Sequence, residues 1–376
     1  MTDSASSGGP PRRRIAFIIG FFPPPHHGLS NANAQMAEWF AKSGFDVRGL
    51  DLSPGNRGRL LGHLVRAFRV IRATLILIRP NRCPRVVYLG ASAGLGRVYD
   101  VAILIVARLR RTQVVIHHHS YRYINARDFL GAVVVRAAGG DALHILLCEH
   151  MRARYCQQYA IDRRRTTVLS SVMLAEREIR AMGARLRRRV GAVGYLGPLS
   201  AEKGIWDFLA LVTTLRAGSP HLLSHIAGPS ADPAATAAVV QFAAGDPQTR
   251  YWGATYRADK VRFLDGVDVL IFPSRYRHEA EPLVVYEALA AGIPVIATQV
   301  GCLREIGPAS GVFVLTDKDF PTKAADVIAG WLRDPAAYAA ASAEARQHFV
   351  NRLKHADGEA ARLLVRLAAG EATTGS

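Results

Sequence analysis

The most constraining stretch of this 376-residue chain runs from Ile271 to Ile306, IFPSRYRHEAEPLVVYEALAAGIPVIATQVGCLREI. Val269 to Phe272 is a short apolar run closed by Pro273-Ser274, the pattern of a buried strand reaching its end. Pro282 suits the first position of a helix, where its missing N–H costs nothing. Leu283, Tyr286, Leu289 and Ala290 follow at helical spacing. Gly292 caps the helix, Pro294 blocks its continuation, and Val295-Ile296 opens the next strand. The stretch therefore reads as a βαβ unit whose loop lies at a strand's carboxyl end, where open α/β sheets bind ligands. The helix start offers N–H groups and a partial positive charge, suited to a phosphate. Two carboxylates, Glu279 and Glu287, stand eight residues apart in this unit.

The same alternation runs through the rest of the chain. Arg14–Gly20 reads as a buried parallel strand, followed by the loop FFPPPHHG, a helix over Leu29–Ser43 and a strand over Phe45–Leu50. The glycine fingerprint of a dinucleotide site is missing here, which argues against a nicotinamide or flavin cofactor. Further strands are expected at Val86–Leu89, Gln113–Ile116, Ile145–Leu147 and Thr167–Leu169, with a helix over Tyr99–Arg108. A second α/β series starts near Val190: strand Val193–Leu196, loop GPLSAEKG, helix Ile205–Arg216, and strands at His225–Ala227 and Tyr251–Trp252. Helices over Ala324–Leu332, Pro335–Phe349 and Gly358–Leu367 close the chain, the last able to pack back on the first half. The expected organisation is a Ser/Gly/Pro-rich disordered tail (1–11), a first domain (12–175), a basic linker (176–190), a second domain (191–345) and C-terminal helices (346–376).

Charge is distributed unevenly. The chain carries a formal net charge of +18, yet residues 1–190 hold 31 Lys+Arg against 11 Asp+Glu, and the remainder is close to neutral. A basic half points to an anionic partner: a lipid surface, a phosphorylated acceptor or nucleic acid. No basic run interleaved with aromatics supports nucleic acid. Arg57–Arg79 reads as a basic, apolar helix with Arg59, Arg66, Arg69, Arg72 and Arg79 on one broad side. It fits either a core-facing helix with a solvated side or a membrane-surface helix. No segment is long and apolar enough to span a bilayer; Ile15–Phe22 is too short. Cys83, Cys148, Cys156 and Cys302 show no metal spacing and read as reduced thiols of a cytosolic protein. His117-His118-His119 is no metal site by itself, because alternate side chains of an extended segment point to opposite faces. Asp317-Lys318-Asp319 matches a D-x-D metal motif, but its place before a helix suits turn and cap duty.

These residues resemble the large retaining, nucleotide-sugar-dependent glycosyltransferase family with the Glu-x7-Glu signature. The resemblance runs from Arg14 to about Phe349 and is most specific in HEAEPLVVYEALAAGIPVIAT, where Glu279 and Glu287 hold the signature positions. GYLGPLSAEKG is similar to the family's phosphate loop, and GFFPPPHHGLSNAN to the loop that closes over the diphosphate. The segment from Val86 to Ser120 is similar to members that build bacterial surface polysaccharides. The resemblance implies the GT-B fold: two Rossmann-like, doubly wound domains facing across a cleft, with the acceptor on the first and the donor on the second. It implies a cytoplasmic, metal-independent hexosyltransferase without a cofactor, whose donor substrate is a UDP- or GDP-sugar. The acceptor would be a glycan, lipid-linked, with the basic half meeting the anionic inner face of the membrane.

Residue by residue, the resemblance implies that Glu287 binds the ribose hydroxyls and Glu279 the transferred sugar. Lys203 would be the cation on the diphosphate leaving group, with Gly197 in the phosphate loop and the N–H groups of Leu283 and Val284 as further donors. Gly28 would allow a close backbone approach, and His119 would contact sugar or acceptor. Simpler roles fit the same residues: Glu279 and Glu281 complement a helix dipole, and Glu287 is a solvated helical carboxylate. His117 and His118 are rivals of His119 for the cleft. The sequence departs from the family pattern at Pro198, where an arginine is usual, at His27 and at Cys302. The departures at Pro198 and His27 keep a non-catalytic GT-B scaffold open, and a GT-B phosphorylase, epimerase or hydrolase acting on a nucleotide sugar is a further alternative.

Overall fold

The structure, a computed structural model, describes residues 14–24, 28–55, 59–80, 83, 85–181, 187–306, 310–316 and 318–369. The tail at 1–11, His27, Asp317 and residues 182–186 of the expected linker lie outside these. The chain divides into two compact units. The first comprises residues up to Leu146, Arg152–Val168 and the chain from Glu359; the second comprises Leu147–Met151 and Leu169–Gly358.

In the first unit six parallel strands lie in the order β2-β1-β3-β4-β5-β6. They are β1 (Ile15–Gly20), β2 (Asp46–Asp51), β3 (Arg85–Gly90), β4 (Gln113–His117), β5 (Leu143–Leu146) and β6 (Thr166–Val168). Its helices are α1 (Gly28–Lys42), α2 (Arg59–Ile78), α3 (Arg97–Leu109), α4 (Arg122–Asn125), α5 (Phe129–Ala138) and α6 (Glu149–Tyr159). β1, β3, β4 and β5 are buried almost throughout, so they read in the sequence as mainly continuous apolar runs rather than alternating ones, whereas the edge strand β2 is partly exposed. The strand order reverses between β1 and β3. There the buried Asn33 of α1 fills the space beside Gly20 and Gly90: a Cβ on either glycine would stand 2.4 Å from its amide.

The second unit repeats the plan with strands in the order β12-β11-β10-β7-β8-β9. They are β7 (Ala192–Leu196), β8 (Leu223–Ala227), β9 (Thr249–Tyr251), β10 (Val269–Phe272), β11 (Val295–Thr298) and β12 (Val312–Leu315). Its helices are α7 (Arg177–Arg180), α8 (Ile205–Gly218), α9 (Pro233–Gly245), α10 (Ala258–Asp265), α11 (Leu283–Ala290) and α12 (Phe320–Arg333); α13 (Pro335–Ala369) ends the chain. Two apolar cores sandwich the sheet, one around Phe263, Tyr286 and Phe349, the other around Phe208, Phe320 and Tyr338. With β7 beside β10, this is the doubly wound order in which the ligand crevice opens where the connections diverge.

The fold class expected from the sequence is the one observed: α/β, two parallel six-stranded Rossmann-like sheets. Some elements differ. Helices α5, α6, α9 and α10 occupy segments to which the pattern assigns none; α6 and α9 carry little apolar periodicity to mark them. The two C-terminal helices expected at Pro335–Phe349 and Gly358–Leu367 are one 35-residue helix, α13. A mid-helix glycine costs only about 1 kcal/mol, and burial of Ala356, Ala360, Leu363 and Leu367 around Gly358 holds the helix through it. Within the expected linker Arg187 is buried, ion-paired to Asp268 at 2.8 Å and donating to the carbonyl of Leu264.

The cysteine reading is corrected. Cys148 and Cys302 form a disulfide across 154 residues, a pairing that spacing cannot reveal; Cys83 and Cys156 carry none. Titration of the unfolded, unreduced chain should accordingly give two reactive thiols, rising to four after reduction. Four thiols before reduction would return all of them to the reduced state.

Candidate functional site

The loops after β7 and β10 flank the point where the second sheet's connections diverge. Two glycines let them approach each other and the next loop at backbone distance. Gly204 has φ +77°, and a Cβ there would stand 2.0 Å from the carbonyl oxygen of Pro273. Gly301 has φ +50°, and a Cβ there would stand 2.1 Å from the carbonyl oxygen of Ala280. Neither position can take a side chain without moving the loops. Ser200 accepts from the Lys203 amide in the turn before Gly204, so the Ser-x-x-Lys-Gly run fixes where the lysine leaves the backbone.

Lys203 Nζ reaches Glu279 Oε2 at 2.5 Å, and the Ser274 hydroxyl donates to the same oxygen at 3.3 Å. The ammonium also lies 4.7 Å above the Tyr276 ring. A cation from the β7 loop and a carboxylate from the β10 loop are thus brought together across 76 residues of sequence. Gly197 begins the β7 loop, its amide bonded to the Ala227 carbonyl at 3.0 Å. Pro198 stands where a second cation was expected; its carbonyl accepts from the Tyr195 hydroxyl at 2.8 Å.

Helix α11 begins directly after the Glu279 loop, with Pro282 in the capping position just outside the first helical residue. Leu283 and Val284, partly exposed, form its first turn. Glu287, one turn on, is buried, and it is not a solvated helical carboxylate. Lys260 of α10 binds it at 3.0 Å and also binds Glu176 at 2.5 Å. Burial pushes the Glu287 carboxyl above the usual range, against the pull of Lys260. Burial likewise works against the Lys260 charge, but the two carboxylates outweigh it and hold its pKa up. Lys260 and Glu176 escaped the sequence reading because nothing local marks them; only the fold brings them to Glu287.

Glu281 does something else. It is buried and accepts from the Ser170 hydroxyl at 2.8 Å, the Ser171 amide and the Tyr286 hydroxyl, with Arg352 at 3.3 Å. Four donors commit this carboxylate to holding the loop.

The remaining expected residues belong to the first unit. Gly28 opens α1 and is exposed; among the described residues, none beyond its chain neighbours and its own helix backbone comes within 4 Å of where its Cβ would be. His117 and His118 are buried: His117 Nδ1 meets the Tyr88 hydroxyl at 2.8 Å, and His118 bridges Tyr123 at 2.7 Å and His144 at 3.1 Å. His119 is partly exposed and stacks on His117 at 3.9 Å between centroids. Of the three neighbours it is the one that is not fully buried, although its ring Nε2 is itself buried without a partner among the described residues. Burial pushes its pKa down to about 4 and that of His144 to about 3, and holds His117 and His118 well below the usual range. Among the described residues, no group of three or more His, Cys, Asp or Glu side chains is placed to hold a metal. Asp319 occupies the capping position of α12 without a side-chain cap bond.

Residues 187–348 match the family described as Glycosyl transferases group 1. Solved structures share the fold. HepE of Anabaena, seen with UDP, has a TM-score of 0.68 at 16% identity, covering 95% of this chain and 100% of its own. Sucrose-phosphate synthase of Thermosynechococcus elongatus has a TM-score of 0.70 at 19% identity, covering 96% and 100%. WaaG, a glycosyltransferase involved in lipopolysaccharide biosynthesis, has a TM-score of 0.61 at 16% identity, covering 92% and 98%. A search of curated protein sequences gave no match.

Two outcomes test this geometry. Lys260→Met leaves buried Glu287 and partly buried Glu176 without their cation and should destabilise the chain by about 3 kcal/mol, whereas Lys260→Arg should cost far less. The loss should shrink from pH 8 to pH 5, since protonation relieves the unpaired charge; a pH-independent loss in denaturant titrations would contradict the pairing. The histidine cluster acts in the opposite sense. With native pKa values below the unfolded value of about 6.5, the unfolded chain binds protons first, so stability falls as pH drops from about 6.5 towards 4. His144→Phe should flatten that slope in pH-dependent melting, and an unchanged slope would exclude His144.

Proposed function

We propose that the protein is a retaining, metal-independent glycosyltransferase that moves a sugar from a UDP- or GDP-sugar onto a glycan acceptor. The acceptor is lipid-linked, and the reaction serves bacterial surface polysaccharide or glycoconjugate synthesis at the cytoplasmic face of the membrane. The observation that carries the reading is the Lys203–Glu279 pair at the switch point of a doubly wound sheet, with buried Glu287 on the adjoining helix. The match of residues 187–348 and the UDP-bound HepE structure support a nucleotide-sugar donor on this unit.

The chemistry follows from the residue types. As the bond from the anomeric carbon to the diphosphate breaks, negative charge grows on the leaving oxygens. Lys203 stabilises it, aided by the N–H groups of Leu283 and Val284 at the start of α11 and by the backbone at Gly197. Glu279 pairs with Lys203 before the donor arrives. With the diphosphate drawing the ammonium, its carboxylate turns to the sugar hydroxyls. Glu287, oriented by Lys260, accepts from the ribose hydroxyls. Gly28 allows close backbone approach to the donor diphosphate, His119 contacts the sugar or acceptor, and the neutral His119 imidazole can accept a hydrogen bond near physiological pH.

A melting-temperature screen against UDP-, GDP- and ADP-sugars should show one donor raising the transition. Ligand at about 100 times its dissociation constant adds ~2.7 kcal/mol, a shift of several degrees. Glu287→Ala should abolish that shift and sugar transfer. No response to any nucleotide sugar would remove the reading in favour of a scaffold, and free sugar released without an acceptor would favour a hydrolase.

A further inference from the structure

The basic helix α2 is turned the opposite way from a solvated amphipathic helix. Its arginines at 66 and 69 face inward. Arg66 donates to the Ser92 hydroxyl at 2.9 Å and lies 4.7 Å from the Phe21 and Tyr99 rings; Arg69 pairs with Asp51 and donates to Ser53. Val70, Ala73 and Leu77 complete the buried side. The side left to solvent carries Leu61, Leu64, Phe68, Ile71, Leu75 and Ile78, each about half exposed or more. Their spacing alternates three and four residues, so they form one stripe along a helix about 30 Å long.

The stripe continues onto its neighbours. The crossovers β2→β3, β3→β4 and β4→β5 progress in one direction, so α2, α3 and α5 lie side by side on one face of the sheet. Val98, Ile105 and Leu109 of α3 and Phe129 of α5 are also exposed, Leu109 by 76% and Phe129 by 80%. Exposed single apolar residues are ordinary, but a contiguous set on three adjacent helices marks an interaction surface.

Its charge selects the occupant. From Arg59 to Gly140 the chain has fourteen arginines, no lysine and two carboxylates, Asp100 and Asp128. Asp100 is buried and Asp128 is paired with Arg97. Exposed Arg72 and Arg79 flank the α2 stripe. A cavity of about 570 Å³ beside α3 and α5 is lined by Arg108, Arg127, Arg136 and Arg165, and none of its lining residues is acidic. A second copy laid on this surface would set arginine against arginine. An anionic bilayer satisfies both halves of the pattern, taking the apolar side chains at the headgroup boundary and pairing phosphates with the guanidinium groups. We infer that the α2–α3–α5 face is a monotopic docking surface for anionic phospholipid, with the arginine-lined cavity taking a headgroup phosphate.

The test is co-sedimentation of the full chain with vesicles of phosphatidylcholine, with and without phosphatidylglycerol. The chain should pellet with the anionic vesicles and bind neutral ones at least about tenfold more weakly. Phe68→Ser/Leu75→Ser, both exposed and outside the donor site, should weaken anionic-vesicle binding by about tenfold or more while far-UV circular dichroism and melting stay unchanged. Arg72→Gln/Arg79→Gln should weaken it and reduce its salt dependence. Wild-type chain left in the supernatant, or serine variants pelleting equally, would overturn the inference. So would a wild-type dimer that the serine variants convert to monomer, since a second copy would then cover the stripe. Donor binding is read separately by melting, so failure here and failure of the transferase reading are distinguishable.

Discussion

The candidate donor site depends on a backbone-to-backbone approach. Gly204 sits against the carbonyl of Pro273 at a distance no Cβ could share, in a left-handed conformation that side chains disfavour. That contact brings the β7 loop onto the β10 loop, and Lys203 meets Glu279 as a result. Gly301 repeats the device one strand over, seating the β11 loop on the carbonyls of Glu279 and Ala280. The glycines that read in the sequence as loop punctuation therefore set the geometry of the charged pair.

Around this contact the carboxylates take three different roles, decided by their donors. Glu279 has one partly exposed cation and a long hydroxyl contact, fewer donors than Glu281. Glu287 is buried with a lysine that it shares with Glu176, a triad in which two negative charges face one positive. Glu281 is saturated by serine, tyrosine, backbone and arginine donors and holds the start of α11. Buried charge is retained only where it is paired or hydrogen-bonded. The difference among these three pairings separates a lightly held carboxylate from a structural one.

The arginine excess also divides by environment. Arg97 and Arg187 are buried in ion pairs, and Arg66 and Arg69 are turned onto loop ends of the first sheet. Arg72 on α2, Arg79 just after it, Arg108 on α3 and Arg136 on α5 are among those left at the surface, beside the exposed apolar side chains. Net charge alone suggested an anionic partner without saying which arginines would meet it. The burial pattern makes that distinction, since a guanidinium already donating to a carboxylate and carbonyls has little left to offer a lipid phosphate.

The sequence by itself determined the strands, the fold class and the local units. Buried parallel strands are continuous apolar runs, and Ser-x-x-Lys-Gly or Pro282 followed by Leu283, Tyr286 and Leu289 specify a turn and a helix through near neighbours alone. Tertiary structure decided everything that joins distant positions: Lys260 and Glu176 at Glu287, Cys148 with Cys302, and the burial of Arg187 within a stretch that reads as linker. It also decided which side of α2 faces out. Periodicity shows that a helix has an apolar stripe and a basic one, but which of the two is buried depends on what the sheet edge presents. Here Asp51, Ser53 and Ser92 drew the arginines inward.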